Sequence, residues 1–155
     1  NAYLYFDRVP SDIKIIHMVR HPFDVLMSKH CEVSNYISLE RLEGEHTAFF
    51  AHIQGRKNTL ILKFEDVVQS PDLVQSRVED FLGEKAGRPF QEFYQEANLG
   101  DDVVSSMHGL RPLDVSTLNR WKSNEEAKAY LREQVVKSDG TLRRLAVTFG
   151  YDIEI

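Results

Sequence analysis

A chain of 155 residues with 42% hydrophobic side chains can bury one sizeable core, so a single domain is expected. A net charge of −5 and a pI near 5.7 argue against general nucleic-acid binding, although they leave room for a small basic pocket. The lone Cys31 excludes an internal disulfide and a multi-cysteine zinc site, and no apolar run approaches the roughly 18–20 residues of a membrane span. No internal repeat or low-complexity segment interrupts the chain. The single cysteine gives no support to a disulfide-stabilised secreted protein, so the expected compartment is the cytoplasm. The first residue is Asn1 rather than Met, which reads as a piece of a longer protein.

In chain order, residues 1–8 contain Tyr3, Leu4, Tyr5 and Phe6 and read as the end of a helix packed on a sheet. The run Ile15-Ile16-His17-Met18-Val19 is too short for a stable helix and reads as a buried central strand over 13–19, covered on both faces. Pro22 suits the first turn of a following helix because its missing N–H has no partner there, and Asp24 complements the dipole. That helix is expected over 22–35, with Val25, Leu26 and Val33 toward the sheet. Arg20 then stands at the carboxyl end of the strand, and Ser28 about two turns into the helix. Ligands of open parallel sheets bind beyond the carboxyl ends of strands, so Arg20 and Ser28 together suit a phosphate. The alternative is that Arg20 pairs with Asp24 while Ser28 faces solvent.

Leu42, Phe49, Phe50 and Ile53 recur at helical spacing and predict an amphipathic helix over 39–54. His46 and His52 within it fall on different helix faces and do not read as metal ligands. Thr59 to Phe64 is the second strand, and a helical link between two strands fits a parallel, right-handed crossover. Glu65 and Asp66 follow and read as structural, capping a helix start. Ser70 as N-cap, Pro71 at the first helical position and Gly83 as C-cap bound a helix whose buried stripe is Val74, Val78, Phe81 and Leu82. Phe90, Phe93 and Tyr94 mark a short helix over 89–97.

Residues 99–113 lack an apolar stripe and hold two glycines, Pro112, Ser105, Ser106, His108 and Arg111, which marks an ordered functional loop. His108 is not read as a general base. Arg120 and Trp121 read as packing residues, with Trp121 anchoring the last helices. Those helices are expected over 124–136 and, after Gly140, through Leu142, Leu145, Ala146 and Phe149 to Gly150.

The segment Lys14–Ser28 resembles the 3′-phosphate-binding segment of sulfotransferases, an apolar strand followed by Arg-x-Pro-x-Asp-x-x-x-Ser. Lys63-Phe64-Glu65-Asp66, Ser70-Pro71 and Phe81-Leu82-Gly83 are similar to the family's Tyr-Glu-Asp, x-Pro and Phe-Leu-Gly. Ser105-Ser106, Arg111-Pro112 and Leu118-Asn119-Arg120-Trp121 resemble the serine loop, Lys-Pro pair and Leu-x-Lys-Trp of the tyrosylprotein branch. The resemblance implies an α/β fold with a parallel sheet flanked by helices, P-loop-kinase-like but lacking the N-terminal P-loop unit. It implies a sulfuryl donor, 3′-phosphoadenosine 5′-phosphosulfate (PAPS), and its product, adenosine 3′,5′-bisphosphate (PAP), with no metal. It implies that Arg20 and Ser28 hold the 3′-phosphate, that Phe64 packs near the adenine, and that Ser105, Ser106 and Arg111 close over the nucleotide. Phe64 stands where the family has tyrosine and Arg111 where it has lysine; the first loses a hydroxyl and the second changes donor geometry.

Without the resemblance, Phe64 reads as a plain core aromatic. The acceptor, a small molecule or a peptide, is not legible in these residues. No glycine-rich phosphosulfate loop occurs in the 155 residues, and the family's catalytic base belongs upstream of them, so this chain alone is expected not to turn over. A non-catalytic nucleotide-binding or interaction module is the alternative. A related nucleotide kinase is the weaker third reading, because kinases need Mg²⁺ ligands and lid arginines.

Overall fold

The structure is a computed structural model that describes residues 10, 12–30, 33–34, 37–53, 55–97, 99–106 and 109–155. The expected helix over 1–8, Cys31 and His108 lie outside the described residues, as do the side chains of Val33, Phe50, His52 and Ser106.

Strand β1 (Ile15–Val19) leads into a short helix α1 (Pro22–Leu26), and a two-residue antiparallel ribbon follows, β2 (Lys29–His30) with β3 (Val33–Ser34). Helix α2 (Leu39–His52) returns the chain to β4 (Thr59–Lys63), which pairs with β1 in parallel. Helices α3 (Phe64–Gln69) and α4 (Pro71–Leu82) come next. A 3₁₀ turn (Phe90–Glu92), α5 (Phe93–Glu96), α6 (Asp101–Ser106), two further 3₁₀ turns (Val115–Thr117 and Arg120–Ser123), α7 (Glu125–Lys137) and α8 (Thr141–Thr148) complete the order. The molecule is thus α/β, a small parallel sheet with helices.

Residues paired in register project to the same face of a sheet. Ile16 and Met18 of β1 therefore share a face with Leu60 and Leu62 of β4. Helix α4 covers only the β4 side of that face, through Val74 and Val78 on Leu62. On the opposite face α2 covers only the β1 side, where the Phe49 ring stacks on His17 at 4.3 Å. Ile16, Met18 and Ile61 stay exposed. The expectation of a strand covered on both faces is corrected here: each helix shields one strand of the pair, on opposite sides.

The larger core lies beside the sheet. Phe23 and Leu26 of α1 pack with Trp121, Ala127, Leu131, Leu142 and Leu145, and Leu42 of α2 and Phe149 close over them. Two further expectations, one helix and one loop, are also corrected. The helix over 22–35 stops at Leu26, because Ser28, His30, Ser34 and Asn35 are poor helix formers and Val33 suits a strand. Conversely the segment 99–113 begins as a helix, α6, with two aspartates in its first turn, where the dipole favours them. The α4 boundaries match expectation, with Pro71 at the start and Gly83 in the left-handed region at φ 77°, but Leu82 faces outward and leaves the stripe.

Candidate functional site

The register of the sheet builds the site. Val19 pairs with Lys63, so the next residues of each strand, Arg20 and Phe64, emerge side by side at the carboxyl end. The Arg20 guanidinium lies 4.7 Å from the Phe64 ring centroid, a stacked cation–π contact. Its Nη2 donates to the Thr117 carbonyl at 3.2 Å and lies 3.8 Å from Asp24 Oδ2, whereas the buried Nε has no partner among the described residues. Asp24 is buried and also accepts from the Asn119 N–H at 3.0 Å. Arg20 thus contacts Asp24, as the second of the two sequence alternatives has it, and it also lines a cleft.

That cleft has a volume of about 670 Å³ and is lined by Arg20, Ser28, Phe64 and Arg111, four of the residues singled out from sequence. Ser28 reaches it from the turn after α1, not from within a helix as expected, because α1 has already ended. Ser105 is exposed on α6 and is not among the lining residues; the Ser106 side chain lies outside the described residues. The charged lining groups are Arg20, Arg111 and Arg120 against Asp24 and Asp114. The wall is therefore net basic in a chain whose total charge is −5. Asp114 is held by the Ser116 hydroxyl and N–H, and these bonds, with Arg120 and Arg111 nearby, keep its carboxyl below the usual range.

Behind the cleft a polar network fixes the strand end. Glu65 accepts from the His21 N–H at 2.8 Å and from the Tyr151 hydroxyl at 2.7 Å. The His21 ring takes the Phe23 N–H at Nδ1, so Nε2 carries the proton and donates to the Asp152 carbonyl at 2.8 Å. Burial pushes the His21 pKa down, which matches this neutral form. Burial also pushes the Tyr151 phenol up, and Glu65 adds to that shift, leaving a neutral donor. Sequence reasoning read Glu65 as a cap; it stands in the first turn of α3 but is a tie between β1, α3 and the C-terminal segment. It gave His21 no role, and it read Arg120 as packing and Phe93 as a helix marker, although both line the cleft.

Trp121 is buried against Phe23 with ring centroids 5.1 Å apart, as its reading as an anchor requires, and it forms part of the cleft floor. Among the described residues no group of three or more His, Cys, Asp or Glu could hold a metal ion, and no helix is long and apolar enough to cross a membrane. No family model, curated protein or solved structure matches the chain.

Proposed function

We propose that the chain is the nucleotide-binding part of a PAPS-dependent sulfotransferase, carrying the half of the site that receives the 3′-phosphate and adenine. The observation that carries this reading is the stack of Arg20 on Phe64 at 4.7 Å, on the wall of a cleft that also includes Ser28 and Arg111. A guanidinium fork and a hydroxyl suit a dianionic phosphate, and charge-assisted bonds of this kind are stronger than neutral ones. A cleft of about 670 Å³ lies in the range typical of small-molecule sites.

In this reading Arg20 and Ser28 bind the 3′-phosphate, Phe64 supports the adenine and Arg111 closes over the nucleotide. Asp24 orients Arg20 while its own charge limits affinity, which favours release of the product PAP. PAPS supplies an activated sulfuryl group; the acceptor is a hydroxyl or amine of a small molecule or peptide. The donors for the leaving phosphate and the catalytic base are assigned to no residue of this chain. The test is a calorimetric titration with PAP, repeated on Arg20→Ala. A module that binds PAP without chemistry is the second reading, favoured by the lack of a glycine-rich phosphosulfate loop in residues 1–155. Assay of the intact encoded protein with PAPS and phenolic acceptors separates the two.

A further inference from the structure

Phe64 has two ring faces, and the Arg20 guanidinium occupies one of them. A planar ligand that stacks on Phe64 is therefore confined to its other face, and half of the stacking area a base offers is left for another ring. Phe93 lines the same cleft with 40% of its surface exposed. Its ring contact among the described residues is an edge-on one with Tyr94, at 6.4 Å between centroids, and none joins it to Phe64. Phe93 opens α5 directly after the Phe90–Glu92 turn, and that turn is anchored. The Phe90 N–H donates to Gln75 Oε1 at 2.8 Å and the Phe90 ring packs on the Leu62, Val74 and Val78 cluster. Phe93 is thus presented to the cleft from a fixed support, with much of its surface open.

We infer that Phe93 is a base-stacking residue, and that Phe93 and Phe64 together hold the planar heteroaromatic base of a nucleotide whose phosphates go to the arginines. This rests on the nucleotide reading above and adds to it a residue and a source of ligand discrimination. Stacking on an aromatic side chain tolerates any base, so the pair selects for a base over none, with weak preference among purines.

The test compares two probes on the full chain by calorimetry: PAP and the base-free ribose 3,5-bisphosphate. Wild type binds PAP at least tenfold more tightly than the base-free probe. Phe93→Ala removes about tenfold of PAP affinity (about 1.4 kcal/mol) and leaves the base-free probe unchanged, and Phe93→Tyr restores PAP binding. Far-UV circular dichroism confirms that each variant is folded, and Phe93→Leu, which keeps the apolar bulk without the ring, serves as the second variant. PAP affinity unchanged in both Phe93→Ala and Phe93→Leu overturns the role of Phe93 and leaves the phosphate reading standing. Failure of both probes to bind wild type overturns the two together.

Discussion

The Tyr151 hydroxyl donates to Glu65 at 2.7 Å, joining the segment after α8 to the first turn of the helix that follows β4. The same carboxylate takes the His21 N–H, so one side chain ties the ends of both parallel strands to the C-terminal segment. Tyr151→Phe keeps the ring, including the Lys63 ammonium 4.6 Å from its centroid, and deletes the hydroxyl with its bond to Glu65 and its longer contact, at 3.5 Å, to the Val19 carbonyl. The expected loss is about 1–2 kcal/mol in urea unfolding, with Glu65→Ala costing more because it also strands the His21 N–H. Equal stability of Tyr151→Phe and wild type contradicts the tie.

Phe23 is fully buried and meets Trp121 edge-on, at the centre of the core that α1, α7 and α8 share. Phe23→Ala opens a cavity where neighbouring rings cannot collapse, at an expected cost of about 3–5 kcal/mol. That is a large share of the stability of a domain this size, so the midpoint of thermal unfolding drops sharply or folding fails. A shift of only a degree or two contradicts the core assignment.

Acid sensitivity comes from the histidines between sheet and helices. Burial and the nearby His17 push His46 down to about 4, and burial lowers His17 and His21. Because these folded-state values lie below the unfolded one, the unfolded chain takes up protons first as the pH falls. Their contribution is complete above about pH 6.5 and is lost as the pH falls toward the folded values. His46→Leu flattens the stability–pH slope between pH 6.5 and pH 4 in denaturant titrations. An unchanged slope contradicts this source of the acid loss.

Much of the fold was legible because its signals are local. The two strands announce themselves as short apolar runs flanked by Lys14 and Arg20 or by Asn58 and the Glu65-Asp66 pair. Helices α4 and α7 announce themselves through Ser70-Pro71 and the Asn124 cap, whose side chain accepts from the Ala127 N–H. What escaped depends on contacts far apart in sequence. The apolar residues of β1 fit a covered strand equally well until the positions of α2 and α4 leave Ile16 and Met18 open. The segment after Pro22 carries apolar residues at helical spacing, yet its composition ends the helix at Leu26. Arg20, Ser28, Phe64 and Arg111 could be named because three stretches held them in a recognisable order; that Arg20 and Phe64 lie side by side follows from strand register. The Glu65 network joins residues 44 and 86 apart in sequence, and no local pattern encodes it.

Asp24 is the negative group nearest Arg20, at 3.8 Å, and it lines the cleft. Asp24→Asn removes a charge that repels a bound phosphate, while Phe64 and the Thr117 carbonyl still hold Arg20. PAP binding is expected to tighten several-fold, and stability to fall by about 1 kcal/mol as the bond to the Asn119 N–H weakens. Weaker binding in a folded Asp24→Asn variant contradicts this division of roles.

The central measurement is calorimetric titration of the chain with PAP, wild type beside Arg20→Ala. Saturable one-to-one binding that weakens by about 10- to 150-fold in the variant, the equivalent of about 1.5–3 kcal/mol for a charged hydrogen-bonding group, is the expected result. No heat of binding to wild type, or equal affinity for both proteins, contradicts the assignment of the Arg20 cleft as a nucleotide site.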